Sequence, residues 1–141
     1  MASDAEELAG VQLSHVRSRE ALATLARNGD PDACHGYKLR YVNPASGESA
    51  MPTIGAFMQL LPERFGAAPY RSTDGTIYVV VEGEGETVIG DTTFRWKPRD
   101  IFVVPAWHRH SHRASSEAVL FSFSDRPVQQ KLALWREERG G

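Results

Sequence analysis

Cysteine is nearly absent from this sequence: Cys34 is the only one in 141 residues. A single thiol excludes an intrachain disulfide, and nothing then speaks for an oxidising compartment. A nucleophilic cysteine needs a base held beside it, and the adjacency of His35 along the chain does not provide that geometry. Cys34 is therefore read as an inert buried thiol. Long apolar runs are also missing, since no stretch approaches the ~20 residues needed to cross a bilayer. Met1–Gly10 is acidic and has neither the basic nor the apolar region of a signal peptide. A cytoplasmic location is the resulting expectation. There is no excess of charge of either sign. A net charge of −2 with scattered Lys and Arg lacks the basic footprint of a nucleic-acid binder. Gly83-Glu84-Gly85 is no phosphate loop, because it lies between two strand-like runs and no helix follows it.

What remains is the composition of one soluble globular domain, 41% apolar and 24% charged. Ser18–Asn28 has helical spacing in Ala21, Leu22 and Leu25, with Ser18 as N-cap and Gly29 as stop. A polar stretch to Pro52 follows, strand-like only over Tyr37–Val42. From Ile54 onward the pattern is of short strands. These are Ile54–Leu61, Thr76–Val81, Glu86–Ile89, Thr92–Trp96, Ile101–Val104, His108–Arg113 and Ala118–Phe123, with turns at Glu82–Gly85, Gly90-Asp91 and Pro98–Asp100. Pro127–Glu138 reads as a helix whose Val128, Leu132 and Leu134, with Trp135, could lay an apolar stripe on the barrel. Evenly spaced short strands predict an all-β closed barrel of two packed antiparallel sheets, with an N-terminal helical arm (residues 1–33) and a barrel with a C-terminal helix (34–141). The arm is too short to be stable alone, so it must pack on its own barrel or a partner's, and a homodimer or larger homo-oligomer is expected.

The chemistry concentrates in Val103–His112, VVPAWHRHSH. His108, His110 and His112 alternate, and alternate residues of a strand share one face. Neutral imidazole is a common metal ligand, so the three could bind a metal; they could equally be solvated histidines at a strand end. Arg71 could grip a substrate carboxylate through its planar fork or pair with Asp74 or Asp100. Trp107 could stack on an aromatic ligand or belong to the core. Tyr70 could be a phenolate ligand, a hydrogen-bond donor or a packed ring.

Five segments carry a family resemblance: LRYVNPASG (39–47), AMPTIGAFMQLLP (50–62), PYRSTDGTIYVVVEGEG (69–85), IGDTTFRWKPRDIFVVPAW (89–107) and LFSFSDRPVQQKLALWREE (120–138). In order and spacing they resemble the cupin superfamily, and within it the second, C-terminal barrel of gentisate 1,2-dioxygenases. The resemblance implies a double-stranded β-helix, or jelly-roll barrel, and Fe(II)- and O2-dependent cleavage of hydroxylated aromatic acids; relatives act on salicylate or 1-hydroxy-2-naphthoate. It also implies small aromatic acids as ligands; the charge balance and the lack of long apolar runs already argue against a nucleic-acid or membrane partner. The family's first motif supplies His, His and Glu ligands, but those positions fall here on Tyr70, Ser72 and Thr76. The second motif runs Pro105, Trp107 and His110. One expected ligand, His110, is present, with His108 and His112 as its helpers. In the family the iron is held chiefly by the first barrel, to which these segments do not correspond. The resemblance thus implies a barrel with a degenerate metal site, in which Arg71, Tyr70 and Trp107 are the substrate-binding candidates. A non-catalytic barrel for oligomerisation or for binding a small aromatic acid is the alternative.

Overall fold

The computed structural model describes residues 17–41 and 54–140. The Met1–Gly10 segment, Val42 of the expected first strand and the polar stretch 43–53 lie outside the described residues. Helix α1 occupies residues 17–28. It is followed by β1 (Tyr37–Arg40), β2 (Gly55–Leu61), β3 (Tyr70–Ser72), β4 (Thr76–Glu82), β5 (Gly85–Ile89), β6 (Thr92–Trp96), β7 (Ile101–Val104), β8 (His110–Ala114) and β9 (Ala118–Ser124). A short helix α2 (Arg126–Lys131) and a last strand β10 (Glu137–Arg139) close the chain.

The strands form two five-stranded sheets, ordered β1-β2-β9-β4-β7 and β10-β3-β8-β5-β6, with every pairing antiparallel. The chain crosses from sheet to sheet at every connection between consecutive strands except β1–β2 and β5–β6. This is the jelly-roll winding, which limits exposed strand edges. Gly90 at φ 57° makes the tight β5–β6 hairpin, as expected from Gly90-Asp91. Glu82–Gly85 does not make the hairpin its glycines suggest. β4 and β5 belong to different sheets, and Gly83, at φ 85°, turns the chain from one to the other.

Period-two burial builds the core. β7 buries Phe102 and Val104 and exposes Ile101 and Val103; β4 buries Tyr78 and Val80. With Leu61, Trp96, Ala114, Ala118 and Leu120 these fill the space between the sheets. Burial of each large side chain contributes roughly 1.5–3 kcal/mol. A second cluster lies on the outer face of the first sheet, where Leu22 of α1 meets Met58, Leu60 and Val119. Arg19 ties the same helix to Glu82 and Glu117. The arm therefore packs on its own barrel. The contact is made by Leu22 with Ala26, not by the expected Ala21, Leu22 and Leu25 face; Ala21 and Leu25 are exposed. Ser18 is not the N-cap, because Arg17 is already helical.

The expected C-terminal helix over Pro127–Glu138 is only half formed. Pro127 stands in the first turn of α2, where its missing N–H costs nothing. Ala133, at φ 57°, then reverses the chain, and Glu137–Arg139 pairs with β3 as a strand. Leu132 and Leu134 of the expected apolar stripe are exposed.

Candidate functional site

The two ends of the barrel interior differ. The core cluster of Leu61, Val80, Trp96, Ala114 and Leu120 fills one end. The other is polar: Tyr70, Ser72, Asp74, Thr76, Tyr78, His110, Ser124, Arg126 and Lys38, with Phe57, line an inner cavity of about 20 Å3, room for about one water. A mouth cavity of about 300 Å3 shares Lys38, Phe57 and Arg126 with it and adds His35, Arg40, Pro127 and Gln130. A wider groove of about 620 Å3, bordered by Glu84, Glu86, Arg95, Lys97 and Asp100, carries charges of both signs and touches none of these residues.

Strand β8 points His110 and His112 inward, both buried. Their rings are 5.2 Å apart and at 64° to each other. His112 shares a hydrogen bond with Thr87 Oγ1 (2.8 Å), and Thr87 also accepts one from Trp96 Nε1 (2.9 Å). His112 Nε2 is buried with no hydrogen-bond partner among the described residues. Burial holds His110 down to about 4 and His112 well below the usual imidazole range, so both are neutral near pH 7. Burial also raises Tyr70 and Tyr78 above the ordinary phenol range, and both keep their protons. Asp74 goes the other way. Its burial acts upward, but hydrogen bonds from Ser72, Trp135 and Ser124 outweigh it and hold the carboxyl ionised.

The expected row of three histidines is broken. His108 lies in the loop after Pro105, exposed, with Nδ1 3.1 Å from the Ala106 carbonyl, and β8 begins only at His110. Trp107 at φ 61° turns the chain there, so extending strand alternation back to His108 fails. The first-motif positions do not replace it. Tyr70 donates to Glu137 (2.7 Å), Ser72 to Asp74, and Thr76 lies 3.5 Å from Asp74 Oδ2. Among the described residues no three His, Cys, Asp or Glu side chains converge on one point. Fe(II) with a facial set of three protein ligands does not fit the described residues of this barrel.

The three substrate-binding candidates do not share a pocket. Tyr70 faces the interior. Arg71, the next residue on β3, faces outward and stacks on Trp107, 4.3 Å from its ring centre. Trp107 is 40% exposed and so is not core. Arg71 pairs with Glu138 (2.7 Å), not with Asp74 or Asp100, and Arg109 pairs with the same carboxylate. Cys34 is buried, as expected.

Sequence reading missed Lys38, Arg40 and Arg126. On β1, Lys38 pairs with inward-facing Gln59 and Arg40 with Phe57. Tyr37, Leu39 and Tyr41 pack toward α1 instead. The alternation of YKLRY was the available signal: its apolar face points out to the helix and its cationic face into the barrel mouth. His35 precedes them in a turn fixed by Asp32, which accepts the backbone N–H groups of Cys34 and His35. Burial and the nearby Lys38 hold His35 down to about 3.

Comparison with known proteins gives this arrangement its context. A cupin domain family matches residues 56–123. Gentisate 1,2-dioxygenase 1 of Aquipseudomonas alcaligenes is 56% identical over 123 residues, which are 87% of this chain and 35% of that protein. The 5-aminosalicylate 1,2-dioxygenase of a Comamonas species is 38% identical, over 84% of this chain and 32% of its own length. Among solved structures, salicylate 1,2-dioxygenase from Pseudoaminobacter salicylatoxidans in its adduct with gentisate superposes with a TM-score of 0.80 at 31% identity, over 90% of this chain and 35% of that one. The chain spans about a third of the length of the relatives it matches. It belongs to the cupin superfamily and is a gentisate-dioxygenase-like cupin domain, matching the C-terminal barrel of those larger proteins.

Proposed function

We propose that this domain serves a cytoplasmic, iron-dependent ring-cleaving dioxygenase of hydroxylated aromatic acids as its assembly barrel, and that ring opening is carried out by a partner barrel. The observation that carries this reading is the donor set. Among the described residues His110 and His112 have no third ligand beside them, and the hydroxyls at the three first-motif positions are already engaged inside the protein. The outer surface supports an association role. Ile101 and Val103 on edge strand β7 and Phe94 on edge strand β6 are exposed apolar side chains, at 66%, 52% and 45%. In this reading residues 1–33 form a linker arm and residues 34–141 the barrel, and the assembly is a homodimer or larger. The test is to incubate the purified chain with Fe(II), remove excess metal, and measure bound iron, gentisate ring opening by product absorbance, and mass by light scattering. The expected result is substoichiometric iron, no detectable ring opening, and an oligomer. Rapid ring opening by the iron-loaded chain, or a strict monomer at high concentration, would overturn the proposal.

A further inference from the structure

The two inward histidines of β8 differ in where their proton sits. Thr87 is the cross-strand partner of His112 in the β5–β8 ladder, and both side chains are buried. Gly85, two residues before Thr87, has no side chain, and a Cβ there would lie 2.7 Å from the Trp96 ring. The indole of Trp96 therefore lies across β5 and delivers its Nε1–H to Thr87 Oγ1 at 2.9 Å. An indole nitrogen only donates. Thr87 must place its own hydroxyl proton elsewhere, and among the described residues its one other side-chain partner is His112 Nδ1, at 2.8 Å.

A buried hydroxyl that gives its proton to nothing is costly, so the arrangement in which every proton is used is the stable one. It runs from Trp96 Nε1–H to Thr87, and from the Thr87 hydroxyl to His112 Nδ1. Nδ1 then accepts, and the single proton of the neutral His112 ring is on Nε2. His110 is set the other way. Its Nδ1 lies 3.4 Å from the His108 carbonyl, which can only accept, so the proton of His110 is on Nδ1 and its Nε2 carries a lone pair. The two rings, 5.2 Å apart, thus offer one Nε2 lone pair and one Nε2–H.

We propose that Thr87, held by Trp96, fixes His112 as the Nε2–H tautomer, and that this relay withdraws His112 from metal coordination. A metal ligand needs a bare nitrogen lone pair. The bare nitrogen of His112 is Nδ1, and the Thr87 hydroxyl covers it. Coordination through Nε2 would need the proton to move to Nδ1, which leaves the Thr87 proton without an acceptor. The affinity lost is at least about fivefold. Metal-binding imidazoles are usually held by an acceptor on their second nitrogen, a carboxylate or a carbonyl; here a donor stands in that place. Thr87 is thus a positioning residue that acts through His112. As a device against metal it rests on the assembly reading; as a hydrogen-bond relay it does not.

The test is two-bond nitrogen–proton correlation NMR of the histidine rings in the isotopically labelled full chain near neutral pH, with His110→Gln and His112→Gln used to assign the signals. His112 should be protonated at Nε2 and His110 at Nδ1. Thr87→Val should move the His112 Nδ1 resonance to that of an unbonded ring nitrogen, and Thr87→Ser, which keeps the hydroxyl, should not. Excess Zn(II), the probe for imidazole coordination, should leave the His112 resonances of the parent unmoved. It should shift them in Thr87→Val at a concentration at least about fivefold lower than in Thr87→Ser. If Thr87→Val does not fold, the tautomers of the parent and its response to Zn(II) decide. A proton on Nδ1 of His112, the same tautomer at both rings, an Nδ1 resonance indifferent to loss of the Thr87 hydroxyl, an equal response of His112 to Zn(II) in the two variants, or saturable Zn(II) coordination at both rings of the parent would each overturn the inference. Ring opening and mass are not read in this experiment, so its failure leaves the assembly reading standing, and the reverse.

Discussion

Gly83 is a residue at which a side chain is poorly tolerated. Its φ of 85° is in the left-handed region, and a Cβ placed on it would lie 2.4 Å from the Glu117 carbonyl oxygen and 2.6 Å from the Ala118 Cα. Both neighbours are backbone and cannot swing aside. Gly83→Ala should therefore cost at least about 2 kcal/mol, combining φ strain with overpacking. Gly90, at φ 57° with nothing within 4 Å of its Cβ position, should lose only about 1 kcal/mol as alanine. Urea unfolding of the two variants checks this, and equal losses would show that the close approach to β9 contributes nothing. At this scale the sequence was legible where local geometry decides. The inward, buried placement of His110 and His112 follows from strand alternation. His108 was misjudged because alternation stops at the Trp107 turn. The partner of Arg71 was not legible at all, since Glu138 lies 67 residues away and meets it only through the β10–β3 pairing. Lys38 and Arg40 were hidden because the pattern of a strand gives two faces without saying which one faces a helix.

Strand β3 is held only lightly to the rest of the barrel. It meets β8 through a single residue pair, Tyr70 with His110, and otherwise leans on β10. Three side-chain links reinforce that edge: Tyr70 to Glu137, Arg71 to Glu138 and Trp135 to Asp74. Truncation after Arg136 removes the first two and the whole β10 ladder. The expected outcome is fast amide exchange at residues 70–72, with protection retained in β4 and β9, which pair over most of their length. Uniform loss of protection would mean that β10 is needed for the whole barrel. Most strands were legible as elements, because β-branched and aromatic runs such as TIYVVV fit no other period. β10 was not, because a three-residue strand reading Glu-Glu-Arg has no apolar face and is defined only by its partner. The false continuation of α2 has the same origin: helix propensity over Lys131–Glu138 is good, and tertiary pairing overrides it.

Across the whole molecule, protonation sets the acid limit. His35, His110 and His112 are all held below the ordinary imidazole value by burial, His35 to about 3, His110 to about 4 and His112 well below the usual range. The unfolded chain binds protons at these sites near pH 6.5 while the folded chain does not, so stability is full above that pH and falls as acid is added. Between pH 6.5 and about 4 the unfolding free energy should drop by up to about 1.4 kcal/mol per pH unit for each of the three. His110→Gln should remove about a third of that slope while leaving the value at pH 7.5 comparatively close to the parent's. A flat stability profile from pH 7 to 5 would contradict the burial of these rings. The barrel also has a direction. One end is plugged by Trp96 and Leu61, and the inner cavity beside His110 shares Lys38, Phe57 and Arg126 with the mouth. Traffic toward His110 by that route runs past three like charges before it meets an imidazole. The mouth therefore acts as a charge filter, drawing anions inward and slowing divalent cations, and added salt, by screening Lys38, Arg40 and Arg126, should bring the two arrival rates closer together.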